Sequence, residues 1–284
     1  MIDLRGRYSV ETGWLAENLG APELAIVDGS LDAPAEQRDA RAEFLAEHIP
    51  GAAFFDINDI ADQASPLPHM LPPEDIFKAK MEEMGIGSDM AVVAYDTKGL
   101  YSAARVWWMF NAMGHENVAV LNGGLPKWQA DGHPVTDEIA PARTGQSFTP
   151  HFNPALVRNI DDVKAIVQNG GTQLIDARAA SRFQGAAPEP RAGLRSGHMP
   201  GAKNVPFLSL QNTDGTLKTA EEMRAVLSTA GVDIGKPAVT TCGSGVTACV
   251  VSLALAIVGH PNVPVYDGSW TEWGDENSGG EVVR

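Results

Sequence analysis

Cysteine is scarce in this chain: 284 residues hold only Cys242 and Cys249. Two thiols seven residues apart make no disulfide framework, and no CxxC pair or Cys/His cluster suggests zinc. Positive charge is also scarce. With 21 Lys and Arg against 36 Asp and Glu, the net charge is −15, which excludes a nucleic-acid or anionic-membrane partner held by bulk electrostatics. Long hydrophobic runs are missing. The most apolar stretch, "ACVVSLALAIVG", is too short to span a bilayer and reads as a buried helix. The first residues, "MIDLRGRYSV", carry no apolar h-region, so no secretory signal is visible and a reduced, cytoplasmic protein is the expectation.

What the chain does contain is a repeat. "AIVDGS", "AEHIPGAAFFDI" and "AVVAYDTKGLYSAARVWWMFNAMGHENVAVLNGGLPKW" are answered, in order, by "QLIDAR", "SGHMPGAKNVPF" and "AVTTCGSGVTACVVSLALAIVGHPNVPVYDGSWTEW". Asp28 matches Asp176, His48 matches His198, Gly114 matches Gly259 and Trp128 matches Trp273, at offsets of 148, 150, 145 and 145. Order kept at near-constant spacing indicates a duplicated domain. The first copy is expected over 1–140 and the second over 158–284. The proline-bearing, aperiodic stretch between them, 141–157, reads as a linker. In each copy short β-branched runs alternate with longer helical stretches, which predicts an α/β fold with a mainly parallel sheet flanked by helices. Ligands of such folds sit at the carboxyl ends of the strands.

Cys242 falls at one such end, in "TTCGSGVTA". Gly243 and Gly245 let the backbone curl so that several N–H groups point inward, and the following helix, expected from Val246 or Thr247, adds unpaired donors and partial positive charge. Such a loop stabilises an anion at its centre and makes a thiolate available as nucleophile. A small buried cysteine before a turn is the competing reading. Cys249, inside the apolar helix, reads as packing. At the position of Cys242 the first copy has Asp96, so it keeps the loop without the nucleophile. A phosphatase would need arginine six positions after the cysteine, and Ala248 stands there.

Two tandem copies, "CGSGVT" in one and an acidic residue in its place in the other, resemble the two-domain rhodanese family over nearly the whole chain. "HIPGAAFFDI", "SPLPHMLP", "SRFQG", "PEPR" and "GHMPGAKNVPF" are similar to its 3-mercaptopyruvate sulfurtransferase branch. The resemblance implies that Cys242 takes sulfur from 3-mercaptopyruvate as a persulfide, releases pyruvate, and passes the sulfur to a thiol acceptor such as thioredoxin or a small thiol, or to cyanide. It implies no metal and no organic cofactor. It assigns Arg182 and Arg191 to the substrate carboxylate and keto oxygen. Gly243, Gly245, Val246 and Thr247 belong with them in substrate binding, and Thr247 also reads as a helix-start cap. His69 and Ser244 are implied to assist the thiol and substrate, His69 being suited to proton transfer near neutral pH. An acid is often found at the position of Asn58, with Asp56 and Asp59 flanking it, so the acidic partner of His69 stays open.

Charge supports this reading. Residues 176–203 carry Arg178, Arg182, Arg191, Arg195 and Lys203 against Asp176 and Glu189, a cationic excess in an acidic chain that suits an anionic substrate. Arg178 and Arg195 also fit structural pairing. The loop itself has no basic side chain, whereas thiosulfate-using relatives typically carry some. Two alternatives remain at this point: a thiosulfate:cyanide sulfurtransferase, or a non-catalytic sulfur-carrier or protein-binding module. His48 and His198, matched in "HIPGA" and "HMPGA", and the tryptophans read as structural.

Overall fold

The computed structural model describes residues 2–32 and 36–284. Its contacts divide the chain into two units. One comprises Met1–Gln63, Leu71–Asn153 and Thr213–Leu217, the other Ala64–Met70, Pro154–Asn212 and Lys218–Arg284.

The first unit runs β1 (Ser9–Val10), α1 (Thr12–Glu17), β2 (Leu24–Asp28), α2 (Ala40–Ala46), β3 (Ala52–Phe54), α3 (Glu74–Glu83), β4 (Ala91–Tyr95), α4 (Ala103–Ala112), β5 (Val118–Leu121) and α5 (Gly124–Ala130). The second repeats the pattern with β6 (Val157–Arg158), α6 (Ile160–Asn169), β7 (Gln173–Asp176), α7 (Ala180–Phe183), β8 (Lys203–Asn204), α8 (Ala220–Thr229), β9 (Ala238–Thr241), α9 (Ala248–Ile257), β10 (Val265–Tyr266) and α10 (Ser269–Trp273). The strand orders, β1-β5-β4-β2-β3 and β6-β10-β9-β7-β8, are the same order shifted by five, and every named pairing is parallel. The α/β expectation and the duplication are both met.

Pattern explains the layers. β2 and β4 are buried at every position, as strands covered by helices on both faces must be. α9 is apolar all round and buried from Ala248 to Ala256, so it is a core helix and not a surface one. α6 and α8 are amphipathic, and each begins with a capping box, Asn159 with Asp162 and Thr219 with Glu222. Matched histidines do matched work. His48 stacks on Phe44 and its Nδ1 lies 2.7 Å from the Phe44 carbonyl; His198 stacks on Phe183 with its Nδ1 2.9 Å from that carbonyl. Trp128 and Trp273 are buried, and each indole N–H donates to a carbonyl beyond its helix, of Pro134 and Glu281.

The stretch read as a linker is anchored over much of its length. Residues 141–153 belong to the first unit, where Phe148 is fully buried against Phe77, Phe110 and His115. Two phenylalanines, of which only Phe148 is buried, gave a polar, proline-bearing run too little periodicity to reveal this. The units are also discontinuous, because Ala64–Met70 packs with the second unit and Thr213–Leu217 with the first. Among the described residues no helix is long and apolar enough to cross a membrane.

Candidate active site

The register of the second sheet sets the site. Asp176, the last residue of β7, pairs with Thr241, the last residue of β9, so the Arg178 turn and the Cys242 loop open side by side at the carboxyl ends of neighbouring central strands. Cys242 is buried, with 2% of its surface exposed, and Ser244 is nearly so. α9 begins at Ala248, a residue or two later than expected. Thr247 holds the N-cap position, but its backbone is already helical (φ −74°, ψ −14°) and its side chain makes no capping bond. This corrects the cap reading of Thr247. A capping hydroxyl needs an extended backbone to fold back on the first turn, and the tight glycine loop does not provide one.

The backbone amides of Gly243, Ser244, Val246 and Thr247 consequently have no protein acceptor among the described residues. The first copy reveals what amides at these positions can hold. There the Asp96 carboxylate accepts from the N–H groups of Lys98 at 2.9 Å, Tyr101 at 2.7 Å, and Ser102 and Ala103 at 2.9 Å each. Lys98 and Tyr101 correspond to Ser244 and Thr247. In the first copy the loop is an anion cradle. In the first, the anion is the protein's own side chain; in the second, the side chain at that place is a thiol. Cys249 is fully buried and donates its thiol to the Gly245 carbonyl, a packing role.

Arg182, on α7, reaches this loop. A Cβ built on Gly243 would lie 3.1 Å from Arg182 Nη2, so the guanidinium rests against the loop backbone. Glu189 holds it there through Nε and Nη2. Glu189 also accepts from Arg178 Nη1 at 2.8 Å, and Arg178 in turn grips both oxygens of Asp176 and stacks 4.0 Å from the Trp270 ring centre. The carboxylates of Glu189 and Asp176 are almost wholly buried. Burial of charge on this scale is tolerated because each charge is paired and hydrogen-bonded. Glu189 is the residue that sequence reading undervalued. It counted only as negative charge near the arginines, while it is the strut that sets Arg182.

The other cations separate cleanly. Arg195 spends its guanidinium on the carbonyls of Trp273, Gly274, Asp275 and Gly280 and on Ser278. Lys203 is bound to Gln173 and the Gly231 carbonyl. Three of the five cations in the 176–203 segment, Arg178, Arg195 and Lys203, are therefore bound into the fold. Arg191 Nη2 lies 3.4 Å from His69 Nε2, within the second unit. His69 itself sits at φ 63°, a left-handed conformation rare outside glycine and asparagine, in a proline-rich loop. The structure thus joins His69 to Arg191, and Arg182 to the cysteine loop. The acids near Asn58 have local partners: Asp59 pairs with Lys80 at 2.5 Å, and Asp56 accepts from the N–H groups of Asn58 and Asp59.

Comparison with known proteins agrees with this architecture. A model described as "Rhodanese-like domain" matches residues 11–131 and again 159–276. The chain belongs to the rhodanese family. Among relatives of this tandem rhodanese, the 3-mercaptopyruvate sulfurtransferase of Escherichia coli (strain K12) is 45% identical over 268 residues, covering 94% of this chain and 95% of the relative. The thiosulfate/3-mercaptopyruvate sulfurtransferase 1, mitochondrial, of Arabidopsis thaliana is 44% identical over 284 residues, covering 93% and 75%. The crystal structure of SseA from Escherichia coli, described with the rhodanese fold and mechanism of 3-mercaptopyruvate sulfotransferases, superposes with a TM-score of 0.85 at 43% identity, covering 93% of this chain and 99% of that one.

Proposed function

We propose that this rhodanese is a 3-mercaptopyruvate sulfurtransferase with Cys242 as its nucleophile and a first copy that is not catalytic. The observation that carries the reading is the pair of loops: where the first copy's amides grip the Asp96 carboxylate, the second copy has Cys242 at the matching position, in a loop whose Gly243, Ser244, Val246 and Thr247 amides have no protein acceptor among the described residues.

That geometry supports the following reaction. The Cys242 thiolate attacks the sulfur of 3-mercaptopyruvate, an S–S bond forms, and the carbon–sulfur bond breaks. Its electron pair passes to the substrate carbon as the enolate of pyruvate, which takes a proton to give pyruvate. Cys242 is left as a persulfide, whose charge the loop amides stabilise. A thiol acceptor, or cyanide, then attacks the outer sulfur and releases the Cys242 thiolate. Arg182 is held by Glu189 along its Nε–Nη2 edge, so its Nη1–Nη2 edge suits a substrate carboxylate in the two-bonded manner of guanidinium. Arg191 takes the keto oxygen, and His69 beside it serves proton transfer with Ser244.

The loop side chains, Gly243, Ser244, Gly245, Val246 and Thr247, carry no positive charge for a dianion such as thiosulfate. The test measures pyruvate and thiocyanate formed from 3-mercaptopyruvate and cyanide, beside thiosulfate and the Cys242→Ser variant. Turnover with 3-mercaptopyruvate that disappears in the variant is the expected result. Preference for thiosulfate would overturn the donor assignment, and turnover surviving in the variant would overturn the nucleophile.

A further inference from the structure

The turn after β10 binds the Cys242 loop through side chains that the first copy lacks. Ser269 is fully buried and sits at φ 50°, in the left-handed region that disfavours a side chain. Its Oγ accepts from the N–H of Cys242 at 3.2 Å and from that of Gly245 at 3.1 Å, lies 3.3 Å from the Thr241 hydroxyl, and donates to the Tyr266 carbonyl at 2.8 Å. Trp270 N–H donates to the Cys242 carbonyl at 3.0 Å. Thr271 donates twice to the Gly243 carbonyl, from its N–H at 2.8 Å and its hydroxyl at 2.7 Å. The first, second and fourth residues of the loop are tied to one three-residue turn.

In the first copy the matching turn is Gly124, Leu125 and Pro126. Only the middle bond survives, from Leu125 N–H to the Asp96 carbonyl at 3.0 Å. A Cβ on Gly124, at φ 56°, would stand 2.3 Å from the Asp96 carbonyl oxygen and 2.9 Å from that of Gly99, so a serine does not fit there. Pro126 offers neither N–H nor hydroxyl. That loop needs no outside brace, because the Asp96 carboxylate ties its amides together from within. Among the described residues the Cys242 side chain makes no matching tie to its loop amides, and the turn supplies hydroxyls instead. A strained serine that makes every bond open to its hydroxyl is strain held for a purpose.

Resting on the sulfur-transfer reading above, we infer that Ser269, seconded by Thr271, is a positioning residue that sets the Cys242 loop in its sulfur-binding shape. An N–H spent on Ser269 cannot turn toward the sulfur, so the brace decides which amides can: those of Gly243, Ser244, Val246 and Thr247. It acts before substrate arrives and does not touch the carboxylate-binding arginines. Its loss therefore falls on the chemical step and on the reactivity of the thiol.

The experiment uses the full chain with Ser269→Ala, Ser269→Gly, Thr271→Val and Thr271→Ser. Ser269→Gly places at this turn the residue the first copy uses at the same φ, so it folds if the backbone is all that matters. Two quantities are read: kcat and KM with 3-mercaptopyruvate and cyanide, and the rate constant for alkylation of Cys242 by iodoacetamide, located by mass spectrometry. Both Ser269 variants are expected to lose about 10- to 100-fold in kcat, with KM within about threefold of the parent, and to alkylate more slowly. Thr271→Ser keeps the hydroxyl and the parent kcat, whereas Thr271→Val loses about threefold to tenfold. Parent kcat and parent alkylation in Ser269→Gly would overturn the inference, as would a rise in KM with kcat unchanged. Alkylation needs no sulfur donor. A parent chain inactive with 3-mercaptopyruvate would sink the functional reading, while the alkylation rates would still decide the brace.

Discussion

Glu189 stands between two arginines: its Oε2 accepts from Nε and Nη2 of Arg182, and its Oε1 accepts from Nη1 of Arg178 at 2.8 Å. One side of this bridge is wholly buried and the other opens to solvent, with the Arg182 side chain 25% exposed. A single carboxylate therefore links the structural turn after β7 to the arginine that rests on the cysteine loop. Glu189→Gln keeps the shape and removes the charge, leaving the buried Arg178 with Asp176 alone. The expected cost is about 3 kcal/mol of stability, the usual penalty for breaking one side of a buried pair. Arg182, released from its strut, should also bind substrate less well. Urea unfolding and the KM for 3-mercaptopyruvate check both parts. An unchanged unfolding midpoint would mean that Glu189 is no strut.

Arg182 itself is tested by Arg182→Lys. Lysine preserves the charge but loses the planar fork, so it cannot answer Glu189 on one edge and a carboxylate on the other. KM for 3-mercaptopyruvate should rise about 10- to 100-fold, with a smaller change in kcat, if Arg182 meets the substrate carboxylate, as proposed, and not the reacting sulfur. Steady-state kinetics separates these. A fall in kcat at constant KM would place Arg182 at the sulfur instead.

The reach of the sequence can be judged from particular residues. The duplication, the strand ends and the Cys242 loop were legible because they are written in order and spacing: "HIPGA" and "HMPGA", "GHENV" and "GHPNV", Asp96 and Cys242. The partners of charged groups were not. Five cations lie within 28 residues, and nothing in their spacing says that Arg195 would be spent on carbonyls at 273–280, or that Glu189 would hold two guanidinium groups at once. Those are long-range or two-centre choices, settled by which chain end arrives beside which. Ser269 was invisible for a different reason. A serine after "DG" reads as an ordinary turn residue until its φ and its four hydrogen-bond partners are known.

Asp28 gives the first unit a pH signature. It matches Asp176, but Ser30 stands where Arg178 would supply a guanidinium. Burial pushes its carboxyl up to about 6, against hydrogen bonds from Ser30 that favour the ionised form. The folded state then holds its proton more tightly than the unfolded state does. This contribution to stability is fully present below about pH 4 and is lost as pH rises to about 6. The difference corresponds to about 3 kcal/mol. Asp28→Asn cannot ionise, so its stability relative to the parent should improve by up to that amount between pH 4 and pH 7, with most of the gain between pH 4 and 6. Unfolding of both chains across that range decides it; a parallel pair of stability curves would remove Asp28 as the titrating group.

Asp96 provides the sharpest separation of stability from chemistry. Its carboxylate is buried and answers four backbone N–H groups, so Asp96→Ala leaves four donors without their acceptor in a site where water is scarce. The expected loss is about 3 kcal/mol or more, confined to the transition that melts the first unit. The first copy holds no nucleophile, so folded enzyme below that transition should keep the parent kcat. Asp96→Asn retains one acceptor oxygen and should fall between the two in stability. Calorimetry with a tryptophan-fluorescence melt, run beside turnover at a temperature well below melting, measures both sides. A matching fall in kcat for the fully folded Asp96→Asn chain would show that the first copy takes part in sulfur transfer after all.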